Sequence, residues 1–213
     1  MNNNEVQEVI ARRAARELKG PMVVNLGIGI PNRIPKYLDD DQVYMHTENG
    51  MLGIGEADPD AIDPNLINSG KQPVAELTGA SYFDSADSFA MIRGQHVGAA
   101  VLGVLQVDQN GRIANWSVPG KDIIGVGGAM DLLAGAKRVI CTMTHTTKAG
   151  EPKILNACTY PITSERSVDM VITELAVFKF EKGMMYLTEL MPGVTLEEVR
   201  EKTKADYIIA IDK

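Results

Sequence analysis

The residues best suited to chemistry stand in the stretch HTENGMLGIG, residues 46 to 55, where a single carboxylate, Glu48, precedes Asn49, Gly50 and two further glycines. A carboxylate is a weak nucleophile in water; desolvation and rigid placement beside backbone donors improve it. Asn49 is placed to orient Glu48, and Gly50, Gly53 and Gly55 read as a flexible loop that lets a bulky substrate approach. The competing reading is a solvated glutamate at an ordinary Asn-Gly turn. Two glycine motifs offer backbone donors. In GVGGAMDL, Gly127 and Gly128 immediately precede a helical pattern, so their N–H groups can converge on an anion or a developing oxyanion. Helix packing through small residues accounts for them equally well. In NLGIGIP, Gly27 and Gly29 open a G-x-G-x-x-G, but Asn32 takes the third position and Pro31 interrupts the turn, so the dinucleotide fingerprint fails. A glycine turn between strand and helix is the plainer reading there.

The other reactive residue types form no pattern of this kind. His46, His96 and His145 are scattered without metal-ligand spacing, and Cys141 and Cys158 lack metal-ligand partners, so no metal site is expected. Cys141, in the apolar run RVICTM, reads as a small core residue. His145, in THTTK, follows a strand and reads either as an exposed site residue or as a polar strand-end cap. No G-x-S-x-G elbow supports a serine hydrolase, and no Walker lysine accompanies the glycines. Trp116, the only tryptophan, reads as filling a core or an interface. The formal charge of -7 disfavours nucleic acid and a basic membrane-binding face. No apolar run approaches the roughly 20 residues of a membrane span. The N-terminal segment has no apolar signal-peptide core, so cytoplasm is the expected compartment.

These residues need a scaffold. With 213 residues, 45% hydrophobic and 23% charged, the chain is long enough for one α/β domain with a sizeable core. Val6, Val9, Ile10 and Leu18 predict an amphipathic helix over 5–18. MVVNLG (22–27) reads as a buried strand, residues 32–38 as a short helix, and VYMHTE (43–48) as a strand that brings Glu48 to its C-terminal end. In open α/β sheets ligands bind at that end. Residues 56–70 are turn-rich, and 84–92 read as a helix capped by Asp and Ser. VGAAVLGVLQV (97–107) reads as one long strand, entering a hairpin at Asn110-Gly111. A glycine loop, a helix and the RVICTM strand follow. DMVITELAVFKF and MMYLTEL form a second hairpin, Thr195 and Glu198 box the start of a helix running to about Lys204, and YIIAI closes with a strand. The sum is one domain over residues 1–213: an α/β fold with an open mixed sheet flanked by helices.

The ordered motifs NLGIGIP, TENGMLGIG, INSG, GASYFDSADSFAMIRG, LGVLQVDQNGRIANW, VPGK, GVGGAMDL and VITELAVF carry a resemblance over residues 5 to 210. The chain resembles the β (B) subunit of family I coenzyme A transferases, the succinyl-CoA:3-oxoacid and acetate/butyrate–acetoacetate enzymes. The resemblance implies an open α/β fold related to sugar-phosphate isomerases and a catalytic glutamate in a Glu-Asn-Gly motif, here Glu48. It implies ping-pong transfer of CoA from an acyl-CoA to a carboxylic acid through a covalent glutamyl-CoA thioester. A CoA thioester is then the substrate, and no permanently bound cofactor is expected. Gly127 and Gly128 are the oxyanion candidates, with Gly27 and Gly29 as further donors and Asn49 beside the nucleophile. Lys121, Lys148 and Lys153 are candidates to offset phosphate charge. The family is built of A and B halves, and this sequence covers the B half. The CoA-transferase A (α) subunit is therefore the expected partner in a hetero-oligomer, with a homodimer conceivable for the isolated chain. An acyl-CoA hydrolase and a non-catalytic CoA-binding regulatory subunit are the alternatives. Three positions depart from the family pattern: Thr47 where serine is common, Gln95 where glycine is common, and Gly98 where an acid is common. Gln95 is therefore expected to reshape the acyl pocket if its loop lines it.

Overall fold

The computed structural model describes residues 2–68, 70–121, 123 and 125–211. Ser69 of the INSG motif lies outside the described residues. The centre of the fold is a block of parallel strands: β1 (Met22–Leu26), β2 (Val43–Thr47), β5 (Ala99–Gly103), β8 (Arg138–Thr142) and β10 (Met170–Ile172). They lie side by side in the order β10-β8-β5-β1-β2. A parallel sheet must be covered on both faces, and β5 and β10 are accordingly apolar along their whole length. All of Ala99–Leu102 and Met170–Ile172 is buried. Successive side chains go to opposite faces. Ala100, Leu102, Val139, Cys141 and Val171 join one core; Ala99, Val101, Ile140, Met170 and Ile172 join the other.

One face is covered by α1 (Asn3–Ala15) and two 3-10 turns, Ile30–Arg33 and Pro35–Tyr37. The helix begins two residues earlier than the periodicity predicts because Asn2 caps it. The Asn2 side chain accepts from the Glu5 amide and the Glu5 carboxylate accepts from the Asn2 amide, a reciprocal box that satisfies two end donors. Glu8 then reaches across to Arg33, Lys36 and Tyr37 and ties the helix to the turns between β1 and β2. The other face carries α2 (Ser85–Arg93), α3 (Ala129–Gly135), α4 (Leu196–Lys202) and a small sheet of β6 (Gln106–Asp108), β7 (Ile113–Ala114) and β9 (Ile154–Leu155). The 97–107 run is thus two strands, not one. After Gly103 the chain leaves the large sheet, Leu105 donates to the Ala114 carbonyl, and β6 pairs with β7 across the predicted Asn110-Gly111 hairpin.

The edges of the sheet are antiparallel. The run DMVITELAVFKF is two strands rather than one hairpin arm: β10 joins the parallel block, and β11 (Ala176–Glu181) pairs with β12 (Met184–Leu190) as the C-terminal hairpin, closed by β13 (Ile208–Ile209). The opposite edge corrects the sequence reading. HTENGMLGIG is not a flexible loop: Met51–Glu56 is strand β3, paired antiparallel with β2 and with β4 (Val74–Tyr82). The three glycines serve packing. A methyl group on Gly50 would stand 2.1 Å from the Phe83 carbonyl oxygen, on Gly53 3.0 Å from Ala80 Cα, and on Gly55 2.8 Å from the Leu77 side chain. Glycine within a strand marks such close approach, and the same glycines made the strand illegible by periodicity.

Candidate active site

Glu48 stands on the tight connection between β2 and β3. The Gly50 amide donates to the Thr47 carbonyl at 3.1 Å, and Phe83 donates to the Gly50 carbonyl at 3.0 Å, so the turn is fixed at both ends. Gly50, with φ +122°, is required by that geometry. The position is the C-terminal end of a parallel strand, beside the point where the sheet order reverses: β1 pairs with β2 on one side and with β5 on the other. Crevices form at such points in open α/β sheets.

Two groups reach the carboxylate. The Asn25 side-chain amide, fully buried on β1, donates to Glu48 Oε2 at 3.0 Å. On the other side stands Gly128, the residue before α3. A methyl group on Gly128 would lie 3.4 Å from both Cγ and Oε1 of Glu48, so Gly128 stands close beside the reacting group. Gly127 adopts φ +57°, and a substituent on it or on Gly125 would meet nothing within 4 Å. The acidic residue in the first turn of α3, Asp131, is engaged by Arg93 Nε at 2.7 Å and so does not compete for an incoming anion at full strength.

The Asn25 amide also lies 3.2 Å from His46 Nδ1, and His46 Nε2 lies 3.1 Å from Ser88 Oγ on α2. Phe83 stacks on the imidazole, with centroids 5.7 Å apart and planes 13° from parallel. Burial pushes the His46 pKa down, and the Glu48 charge opposes that shift. His46 is therefore neutral near pH 7. Neither Asn25 nor Ser88 was legible as a site residue. Asn25 opens NLGIGIP, directly before the glycines, and that adjacency was the one signal available.

The other predicted residues fall into place unequally. The Asn49 side chain is exposed and donates to the Ile67 carbonyl at 3.3 Å, so Asn25 rather than Asn49 holds Glu48. The Gly27 amide is spent on the Val101 carbonyl at 2.8 Å and is unsuited as an oxyanion donor. Gly29, at φ +95°, precedes the first 3-10 turn with open space around it. Gln95 and Gly98 lie ahead of β5, at the opposite end of the parallel strands from Glu48, roughly 17 Å of strand away. They do not line its surroundings. Gln95 itself adopts φ +62°, which explains why glycine suits that position. His145 is fully buried between Thr173 and Thr203 rather than exposed. Lys153 is half-buried and donates to Thr144 Oγ1 at 3.2 Å; burial lowers its pKa to about 8. Lys121 and Lys148 are exposed, Lys121 in the loop that leads to Gly128. The Cys158 thiol is pushed up to about 12 and that of Cys141 higher still, both by burial, which leaves neither reactive. The indole of Trp116 donates to the Ile162 carbonyl.

A cleft of about 720 Å³ opens between the 3-10 turns and strands β2, β3 and β4, with Arg33, Lys36, Asp40 and Asp41 among its lining residues. Its floor includes Val43, Met45, Ile54 and Leu77, and it ends at Thr47, one residue before Glu48. Among the described residues no His, Cys, Asp or Glu cluster is placed to hold a metal ion, and no helix is long and apolar enough to cross a membrane.

Comparison with known proteins places the chain in a family. Residues 7–202 match the family described as Coenzyme A transferase. The chain is 52% identical over 207 residues to the beta subunit of the acetate CoA-transferase of Haemophilus influenzae, covering 97% of this chain and 93% of that protein. It is 47% identical to the B subunit of the succinyl-CoA:3-ketoacid coenzyme A transferase of Helicobacter pylori, over 97% of this chain and the whole of the other. Among solved structures, the apoenzyme of the acyl-CoA transferase YdiF from Escherichia coli O157:H7 superposes with a TM-score of 0.78 at 24% identity. That match covers 98% of this chain but 43% of the YdiF chain, and shows the shared fold. With a partly exposed, pinned glutamate at the strand ends and this extent of identity, the chain belongs to the coenzyme A transferase family.

Proposed function

We propose that this chain is the B subunit of a CoA-transferase whose nucleophile is Glu48. The observation that carries the reading is the carboxylate itself: held on a rigid turn, gripped at Oε2 by a buried amide, and approached at Oε1 by a glycine backbone. Glu48 attacks the donor thioester carbonyl; the C–S bond breaks, giving an acyl-glutamyl anhydride and CoA thiolate. The thiolate attacks the Glu48 carbonyl, releases the donor as a carboxylate, and leaves a Glu48-CoA thioester. An acceptor carboxylate attacks that thioester to form a new anhydride, and the returning thiolate takes the acceptor acyl group and frees Glu48. Addition to a substrate carbonyl places negative charge on its oxygen, for which the Gly127 and Gly128 amides are our candidate donors. One thioester is exchanged for another, so no ATP is consumed. The relatives' names point to acetate and 3-keto acids, and we take a small carboxylic acid, a 3-oxo acid in particular, as the acceptor. Binding of the remote parts of CoA orients the reacting end.

The test is chemical. Incubation of the assembled enzyme with acyl-CoA followed by borohydride reduces a glutamyl thioester to an alcohol, and peptide mapping locates it at Glu48. A label on another residue, or full activity in Glu48→Ala, overturns the assignment. Running the assay with and without an acceptor acid separates transfer, which needs the acceptor, from hydrolysis, which does not. The relatives are named as B or beta subunits, and we infer an A-type companion for this chain too. Purified alone, the chain is expected to fold but to transfer CoA only when the companion is added, saturating near one to one. Full activity without it would show that copies of this chain complete the site by themselves.

A further inference from the structure

We propose that His46 and Ser88 are positioning residues that aim the Asn25 amide at Glu48, and so select which carboxylate oxygen attacks. The inference rests on Glu48 being the nucleophile. Its basis is the match of donors to acceptors along four side chains drawn from β1, β2, the turn and α2. Asn25 Nδ2 carries two hydrogens and has two neighbours, Glu48 Oε2 at 3.0 Å and His46 Nδ1 at 3.2 Å. A carboxylate only accepts, and the Nδ1 facing the same amide must accept as well. The imidazole proton is thereby assigned to Nε2, which donates to Ser88 Oγ at 3.1 Å. The Ser88 hydroxyl passes its own hydrogen to the Thr47 carbonyl at 3.4 Å. Every donor in the chain has an acceptor, and only one tautomer allows it.

The far side of the same amide is the second observation. Asn25 Oδ1 is buried and no described group donates to it. Turning Asn25 over would set Oδ1 against the Glu48 carboxylate and the His46 lone pair, two acceptors. His46, held by Ser88 behind and Phe83 on its face, thus fixes the amide in the orientation that donates. The consequence for the reaction is directional. With Oε2 committed to Asn25, Oε1, beside Gly128, is the oxygen free to attack. Once Glu48 is acylated, Oε2 is its carbonyl oxygen, and the Asn25 donor strengthens as thiolate addition puts charge there.

The experiment uses the enzyme assembled with its companion subunit and compares His46→Leu, His46→Gln and Ser88→Ala for kcat, KM for acyl-CoA, and borohydride labelling of Glu48. Leucine fills the space and accepts nothing. Glutamine can accept from Asn25 and donate to Ser88. The expected result is a kcat about 10- to 100-fold lower in His46→Leu with KM nearly unchanged, most of it restored in His46→Gln, and a drop of several-fold in Ser88→Ala. Wild-type kcat in His46→Leu, or a glutamine variant no better than the leucine one, overturns the proposal. If His46→Leu does not fold, Ser88→Ala decides alone, and an unchanged kcat there overturns it. Labelling of wild type at a residue other than Glu48 removes the nucleophile and this proposal with it, whereas labelling at Glu48 with indifferent His46 variants removes only the proposal.

Discussion

The ends of β2 and β8 carry the same device put to different ends. Each places a histidine in the interior, His46 at 2% exposure and His145 at none, and each histidine is bonded through both ring nitrogens. His145 spans Thr173 and Thr203, and packs on Phe178. Its ring partners are hydroxyls that tie the loop after β10 to the end of α4, and among the described residues the Thr173 hydroxyl leads on to the Leu175 and Ala176 backbone rather than to a carboxylate. His46 spans Asn25 and Ser88, and Asn25 leads on to a half-exposed carboxylate. Burial and a depressed pKa are common to both, so neither marks a site. What separates them is whether the chain of hydrogen bonds ends on a group that can meet a substrate.

Glu48, where the β2 chain of hydrogen bonds ends, is the sharpest point of difference. Glu48→Asp withdraws the carboxylate by about one C–C bond from Asn25 and Gly128, enough to break a near-attack geometry, and transfer should fall to background in a coupled CoA assay. Next is the opposite wall. Gly128→Val puts a branched side chain where even a methyl would stand 3.4 Å from Glu48, and turnover should drop on the order of 10²-fold or more with assembly intact. Normal turnover in a folded Gly128→Val enzyme would reduce this loop to helix packing.

Gly50→Ala tests the turn that carries Glu48. The new methyl would meet the Phe83 carbonyl at 2.1 Å at φ +122°, and we expect a loss of about 3 kcal/mol in urea unfolding. Stability near wild type would restore the reading of this segment as a flexible loop. At the end of β8, His145→Leu should cost about 1–2 kcal/mol through the lost hydroxyl pairing, with kcat of the assembled enzyme unchanged. A kcat loss comparable to that of His46→Leu would erase the distinction between the two histidines.

The same histidine also sets a pH dependence. Burial lowers the His145 pKa to about 3, against 6.5 when unfolded. Between those values the unfolded chain binds the proton and the folded one does not. The stability is complete above pH 6.5 and is lost as pH falls towards 3. From pH 7 to pH 5 the loss should be about 2 kcal/mol, and replacing His145 should flatten that part of the profile. His46 is shifted the same way and leaves a residual slope. Lys153, with its pKa near 8, is protonated in both states over this interval and contributes none.

The sequence by itself determined what depends on neighbours along the chain. Apolar runs defined β1 and β8 and contained β5 and β10 without showing where each ended; Asp84 and Thr195 stood as caps before α2 and α4; Asn110-Gly111 turned the β6–β7 hairpin. A carboxylate at the end of a strand was legible for the same reason, since strand ends and turns are local. The tertiary structure alone decided what depends on strand order. Asn25 meets His46 across 21 residues and Ser88 meets it across 42, because β1 lies beside β2 and α2 packs under both. Gly50, Gly53 and Gly55 signalled a loop until β4 was placed against them, since glycine looks alike whether it frees a backbone or admits a neighbour. Gln95 was separated from Glu48, and His145 from solvent, by the length of the parallel strands and the packing of α4, neither of which any local pattern of side chains encodes.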